Sequence, residues 1–405
     1  MTFQTKRLVD YWIGGLLLAL LFPPIRLLGF LMRRDHTSET KRGCVVIKMV
    51  GAGSLFMAMP AMSEIRGQFP AGGFFLVGTK QVTSFAKNFD WFDEYWTIDD
   101  ASLPKLIAST VRVLWHIARN ADHLIDLEVH SRFTTVLSVL STIRNRFGFV
   151  DEIVFWRRGF YTHMTFFNMH GPVYVFYDIL AKWFGVNVVP VTAFNDRLRQ
   201  HVRTTPIPVG TIPAKPYIAI GHACSDLAKE RQLRPDEWKR LLAPLILAGH
   251  EFLILGGQAD ATFADEIIAA LGSGRNLCGK LSIAQSAKVI AQAREYYGID
   301  SLLLHLARAL GVPVVSVFGP TSPDILLRPI DTPERVAFAK LPCAPCIHVH
   351  EKPPCQGART CMALALDNLI ATPDAEPVAR PTQAAVGWEV APRETAVTKV
   401  SVNYD

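Results

Sequence analysis

Apolar positions first gather in two runs separated by a diproline, residues 11–22 and 25–32. As a helix the first run reaches about 18 Å, well short of a hydrocarbon core of about 30 Å. Pro23-Pro24 is expected to break it, and Arg26 interrupts the second run. Lys6 and Arg7 precede the pair and Arg33 and Arg34 follow it, so both ends favour the cytoplasmic side. No small-residue cleavage site follows, which argues against a signal peptide. The pattern predicts a bent helix lying in the membrane plane, with a tilted single span as the alternative.

From residue 44 the pattern changes to short apolar strands alternating with helices. Cys44-Val-Val-Ile-Lys-Met-Val50 is a strand, Gly51-Ala-Gly-Ser54 a small-residue loop, residues 55–68 a helix and 74–77 the next strand. Strand, helix and strand at this spacing predict a right-handed βαβ unit in a parallel sheet. Segments 96–99 and 124–127 continue the alternation, whereas residues 150–205 are aromatic-rich and irregular. A second series starts after the proline-rich stretch 206–216, with strands at 217–220, 252–255 and 314–318 and helices at 235–248 and 261–271. Two doubly wound α/β halves should face a cleft, with ligands outside the carboxyl ends of their strands. From about residue 372 the chain is rich in Pro, Ala and Thr without periodicity, and a disordered tail is expected.

Half of the 405 residues are hydrophobic and 19% are charged, enough for a large core without staples. The net charge of +6 is concentrated in residues 1–50, which hold eight Lys/Arg against three Asp/Glu. A basic patch on the folded body, which nucleic acid would need, is not expected; a cationic segment facing anionic lipid is. Seven cysteines, three of them scattered, fit a reducing compartment.

The densest candidate chemistry is Gly298-Ile-Asp-Ser-Leu-Leu-Leu-His305 followed by the strand and loop ending in Phe318-Gly-Pro-Thr321. Asp300 is expected to cap the following helix. Ser301 and His305 share one face near its N-terminus, where partial positive charge and free N–H groups suit phosphate. A capped core helix with a satisfied histidine is the plainer reading. Gly51-Ala-Gly53 lacks the third glycine of a dinucleotide fingerprint, and no acid ends the second strand, which argues against NAD.

These pieces together resemble glycosyltransferase family 9, the lipopolysaccharide heptosyltransferase-like enzymes. The resembling stretches are Lys48 with Gly53 and Pro60; Asp126 with Arg132; Arg146-Phe-Gly148; His222-Ala-Cys-Ser225 with Lys229; and Asp300-Ser301, His305 and Phe318-Gly-Pro-Thr321. The resemblance implies a GT-B architecture. A membrane-associated segment (1–40) would precede an acceptor-side domain (41–205) and a donor-side domain (206–371). It implies an inverting sugar transfer from a nucleotide-diphosphate donor to a lipid-linked or surface-glycan acceptor, on the cytoplasmic face of the inner membrane, with no obligatory metal. Ser225, Lys229, Asp300, Ser301 and His305 would then bind the donor, and Lys48 and Arg132 the acceptor.

The sequence departs from that pattern at three places. Ser54 stands where the family carries the acid proposed as general base, Leu302 replaces a glycine, and the family's Lys-x-Trp-Pro becomes Lys229 to Pro235 with extra residues and no Trp. A hydroxyl cannot deprotonate an acceptor near neutral pH, whereas a carboxylate can. Glu128, just past the strand 124–127 and near His130, is the expected base, with Ser54 orienting the acceptor. A solvated loop acid is the plainer reading of Glu128. A non-catalytic nucleotide-sugar or glycan binder, or a scaffold at the membrane, is the rival to an enzyme; an epimerase would need an acid and a base beside the donor sugar, and neither is identifiable.

Cys343, Cys346, Cys355 and Cys361 cluster among prolines, with His348 and His350 as substitutes. The first pair has zinc-knuckle spacing, so a structural zinc is one reading and four reduced thiols in a loop the other.

Overall fold

The computed structural model describes residues 3–32, 36, 42–70, 72–225, 229–347 and 353–372. The tail from residue 373 and the arginines at 33 and 34 lie outside the described residues.

Two six-stranded sheets organise the chain. In the first, β1 (Gly43–Ile47), β2 (Gly73–Thr79), β3 (Glu94–Ile98), β4 (His123–Asp126), β5 (Asn145–Val150) and β6 (His163–Phe166) run in the order β3-β2-β1-β4-β5-β6. In the second, β7 (Tyr217–Gly221), β8 (Glu251–Leu255), β9 (Arg275–Asn276), β10 (Glu295–Ile299), β11 (Val314–Phe318) and β12 (Glu334–Phe338) run β12-β11-β10-β7-β8-β9. The neighbouring pairs are parallel. All five residues of β1, β7 and β11 are buried, because helices cover both faces of a parallel sheet. Both sheets reverse direction at their centre, between β1 and β4 and between β7 and β10. Loops splay apart at such switch points and leave a crevice.

Helices follow in chain order: α1 (Phe3–Val9) and α2 (Gly15–Met32), joined by a π turn at Asp10–Gly14; α3 (Ala52–Gly67), α4 (Lys80–Lys87), α5 (Leu103–Asn120), α6 (Arg132–Leu140), α7 (Val173–Lys182) and α8 (Val191–Thr204). The second half adds α9 (Pro235–Leu247), α10 (Ala261–Leu271), α11 (Ile283–Ala291), α12 (Leu302–Leu310), α13 (Pro323–Leu326) and α14 (Thr360–Ala371). The stretch 150–205, irregular by pattern, thus contains β6, α7 and α8. Its helices join the halves: Asp178 on α7 pairs with Arg328 at 2.7 Å, and Arg199 on α8 donates to the Leu310 carbonyl. One apolar cluster runs from α3 and α7 through α8 into α11 and α12.

The expected break at Pro23-Pro24 is not observed; α2 continues through both prolines. Each proline removes one intrahelical donor, but tertiary contacts hold the flanking turns in line. Phe22 packs edge-on against Phe160, and Arg26 lies over the Phe22 ring beside Gly159. Residues Gln4–Leu31 are long and apolar enough to cross a membrane. Nevertheless, one side of this helix lies along the first half. Asp10 accepts from Ser131 Oγ and from the Arg132 and Phe133 amides, capping α6. Leu18, 4% exposed, packs with Val136, Val139 and Tyr161. Asp10, Gly14, Leu18 and Phe22 are spaced by four, so they form one stripe on the helix.

Candidate functional site

The residues expected to bind a donor lie past the carboxyl ends of β7 and β10, around the second switch point. His222–Ser225 follows β7, and a single 3-10 turn, Lys229–Arg231, comes after it. Arg231 is a cation joined to the rest. Its Nη1 donates to Asp300 Oδ2 at 2.8 Å and to the Asp300 carbonyl at 3.1 Å; its Nη2 donates to Ser225 Oγ at 3.0 Å. Lys229 has an exposed side chain at the start of the same turn. The sequence reading missed Arg231, although its place two residues beyond Lys229 was the available signal.

Asp300 does not cap α12. Ser301, with extended backbone (φ −158°), is the N-cap residue, and the Asp300 carboxylate is committed to Arg231. The Oγ of Ser301, the Oγ1 of Thr321 and the Nδ1 of His222 are buried without a hydrogen-bond partner among the described residues. Three orphaned polar atoms at three adjacent strand ends are costly unless something meets them. His305, one turn into α12, is buried, and burial pushes its imidazole down to about 4; Arg308 and Arg231 act in the same direction against Asp300. It is a neutral hydrogen-bonding group at neutral pH and adds no charge.

Lys48, Ser54 and Glu128 follow β1 and β4, the strands on either side of the first switch point. Gly51 adopts φ +86°, a conformation open to glycine, as the chain turns from β1 into α3. Ser54 Oγ donates to the Gly51 carbonyl at 2.8 Å. Glu128, past the end of β4, reaches across to the β1 loop. Its Oε1 accepts from the amides of Met49 at 2.7 Å and Val50 at 2.9 Å and lies 3.2 Å from Lys48 Nζ. Lys48 is itself buried. Glu128 and Lys48 are therefore brought together beside Ser54, as partners of each other.

Beneath them lies a buried pair the sequence did not suggest. Asp126 Oδ2 accepts from Arg157 Nη2 at 2.6 Å and from the Tyr161 hydroxyl, while Asp126 Oδ1 holds the Glu128 amide at 2.9 Å. Arg157 also donates to the Val129 and Phe149 carbonyls. It fixes the backbone on which Glu128 stands. A Cβ on Gly148 would sit 2.7 Å from the Tyr161 ring, so glycine there lets the tyrosine reach Asp126. Arg132, matched with Asp126 by spacing, is not its partner: the guanidinium lies over the Tyr11 ring at 4.4 Å and the Trp156 ring at 5.0 Å. The structure uses it to hold the N-terminal helix. His130, 3.8 Å from Asp151, is held below its ordinary value, chiefly by burial.

The two loops meet. A Cβ on Gly53 would lie 3.9 Å from the Cα of Leu302, so the N-terminal ends of α3 and α12 face one another across the gap between the halves.

All seven cysteines are free thiols. Cys343, Cys346, Cys355 and Cys361 line one cavity of about 250 Å³ with Glu230 and Pro320. The amides of Cys346 and Ile347 donate to the Pro320 carbonyl, joining this cavity to the 319–321 loop. Burial pushes the Cys346 and Cys361 thiols up; backbone N–H groups, Arg359 first, hold Cys355 down. Among the described residues no three His, Cys, Asp or Glu side chains are disposed to hold an ion. His348 and His350, the substitutes named for a zinc site, lie outside the described residues.

Paired Rossmann-like sheets facing one gap define a GT-B protein. Solved structures carry the same fold: an ADP-heptose heptosyltransferase II from E. coli (TM-score 0.58, 16% identity, 82% of this chain and 100% of that one) and a family 9 glycosyltransferase from Veillonella parvula (TM-score 0.59, 16% identity, 75% and 87%). Residues 178–355 match the model of glycosyltransferase family 9 (heptosyltransferase). Lipopolysaccharide heptosyltransferase 2 of Salmonella typhimurium is 36% identical over 92 residues, 22% of this chain and 26% of that protein. Lipopolysaccharide heptosyltransferase 1 of Pseudomonas aeruginosa is 33% identical over 137 residues, 33% of this chain and 37% of that protein. These matches span about a quarter to a third of the relatives' length.

Proposed function

We propose that this protein is a membrane-attached glycosyltransferase that moves a heptose or related sugar from a nucleotide diphosphate to a hydroxyl of a lipopolysaccharide or surface-glycan acceptor, with inversion. The observation that carries the reading is the Ser225–Arg231–Asp300 constellation at the second switch point, opposite the Gly51–Ser54 loop. In this reading the diphosphate lies against the N-terminus of α12, where Ser301, Thr321 and His222 have hydrogen-bonding capacity to spare. Lys229, exposed at the start of its turn, approaches the leaving phosphate, where an ammonium stabilises charge that grows in the transition state. His305 orients the donor as a neutral imidazole. Ser54 and Lys48 help to place the acceptor, with Arg132 supporting that side through the N-terminal helix.

Glu128 is the carboxylate that the fold delivers to the acceptor loop, and we assign it the base. The Met49 and Val50 amides and the Lys48 ammonium hold and aim its Oε1, and a carboxylate within hydrogen-bond reach of an acceptor hydroxyl can take its proton. The N-terminal helix supports attachment in the plane of the cytoplasmic leaflet, since about four turns of it are pinned to the folded domain. The rival reading, a binder without turnover, rests on Ser54 replacing an acid. A donor screen scored by radiolabelled product on membrane extracts separates them: transfer with one donor supports the enzyme, and tight donor binding without product supports the rival.

A further inference from the structure

Helix α5 displays a surface that the sugar-transfer reading does not use. Its inner face is ordinary: Ser109, Val113 and Ile117 are buried against the first sheet. Its outer face carries Leu103, Ile107, Val111 and Trp115 at a spacing of four, with exposures of 42, 57, 62 and 52%. At 100° per residue these positions form one continuous stripe. Lys105, Arg112 and Arg119 recur every seven residues, which places them on a single line at the edge of that stripe. All three are exposed, and the helix contains no acid. The Arg119 guanidinium lies 3.8 Å over the Trp115 ring.

A solvent-facing helix would carry charge here, and a dimer seam would need acids to answer three bases. An apolar stripe edged by unopposed cations, with an aromatic ring beside the charge, is the composition of a helix at a lipid surface. Its position agrees. Lys6 of the N-terminal helix pairs with Asp100 immediately before α5. The N-terminal helix packs on α6, which packs beside α5 on the sheet face that contributes its own, separate cluster. Trp12, Leu16 and Leu20 of the N-terminal helix, all more than 60% exposed, add a second apolar surface on the same half of the chain.

We infer that α5 is a second membrane-contact element, its apolar stripe entering the interface of an anionic bilayer alongside the N-terminal helix. Two contacts instead of one fix the rotation of the acceptor-side domain over the bilayer, which a single helix leaves free. The inference rests on the N-terminal helix being at the membrane, but it is tested separately from it.

The full-length protein is mixed with vesicles of phosphatidylcholine, with or without phosphatidylglycerol, that contain brominated acyl chains. Subtracting the fluorescence of Trp115→Phe isolates the Trp115 signal. It should be blue-shifted and quenched by shallow bromines. Ile107→Asp/Val111→Asp should abolish that quenching and weaken vesicle binding at least tenfold. Each of Lys105→Gln, Arg112→Gln and Arg119→Gln should cost roughly fivefold on anionic vesicles and little on neutral ones. All these positions are exposed, and circular dichroism checks the fold. An unquenched Trp115 signal on bound protein overturns the inference while leaving attachment by the N-terminal helix intact. So does loss of Trp115 exposure through concentration-dependent self-association without lipid.

Discussion

Arg231 and Asp300 close a 2.8 Å ion pair between a turn that follows β7 and the loop that follows β10. Their strands are neighbours, and the pair spans the crevice between the loops where the second sheet reverses. With Ser225 on the other guanidinium nitrogen, the pair ties the Lys229–Arg231 turn to Ser225 and Asp300.

Removing the guanidinium should loosen that loop and release Asp300. Arg231→Ala is expected to weaken donor binding ten- to a hundredfold, as charge-assisted hydrogen bonds are worth roughly 1.5–3 kcal/mol, with Arg231→Lys intermediate. Lys229→Ala should instead lower donor affinity and turnover together. Titration with a nucleotide diphosphate and steady-state kinetics distinguish the two variants; unchanged kinetics in Lys229→Ala would remove it from the site.

Glu128→Gln keeps the shape of the acceptor loop and removes the negative charge. If Glu128 is the base, turnover should fall about 100-fold or more with donor affinity unchanged. Full transfer activity in this variant would mean that the acid only braces Met49, Val50 and Lys48.

Arg157 and Asp126 are both fully buried. Arg157→Met leaves a carboxylate without its partner and should cost about 3–5 kcal/mol in denaturant unfolding. The Asp126→Leu/Arg157→Met double variant should be less destabilised than that single one, since neither charge is stranded.

His305 titrates near 4 in the fold against 6.5 for a free imidazole. The neutral form is the folded one, so its contribution, on the order of 3 kcal/mol, is fully present above about pH 6.5. It is lost as pH falls from 6.5 towards 4, because the unfolded chain takes up the proton first. Thermal unfolding of His305→Gln should show a flatter dependence on pH across that window than the wild type.

The cysteine cavity gives a further check. With no metal bound, iodoacetamide should modify Cys355 before the buried Cys346, because backbone N–H groups favour the Cys355 thiolate. Protection of all four thiols until a chelator is added, with stoichiometric zinc in the purified protein, would instead place a metal there.

Much of the fold was legible because buried parallel strands are unbroken apolar runs. Cys44–Ile47, Tyr217–Ile220 and Val314–Phe318 could hardly be read otherwise. By contrast β6, α7 and α8 were not placed, although Phe176, Tyr177, Leu180 and Ala181 of α7 and Phe194, Leu198 and Val202 of α8 recur at helical spacing. At the donor side the spacing of Asp300, Ser301 and His305 identified the loop, but assigned the cap to the wrong member: Asp300 prefers a guanidinium that lies 69 residues away. Sequence spacing gave no sign of the partner of Asp126, since Arg157 arrives from beyond the next strand. The diproline looked like a break because chain chemistry alone gives no sign of Phe160 and Gly159 waiting to hold both sides of it.

The most direct test of the central claim is calorimetric titration of the full-length protein with a nucleotide-diphosphate sugar, ADP-heptose first, beside Arg231→Ala. The account predicts saturable one-to-one binding that weakens at least tenfold in the variant. No binding by any nucleotide-diphosphate sugar, or equal binding by the variant, would contradict it.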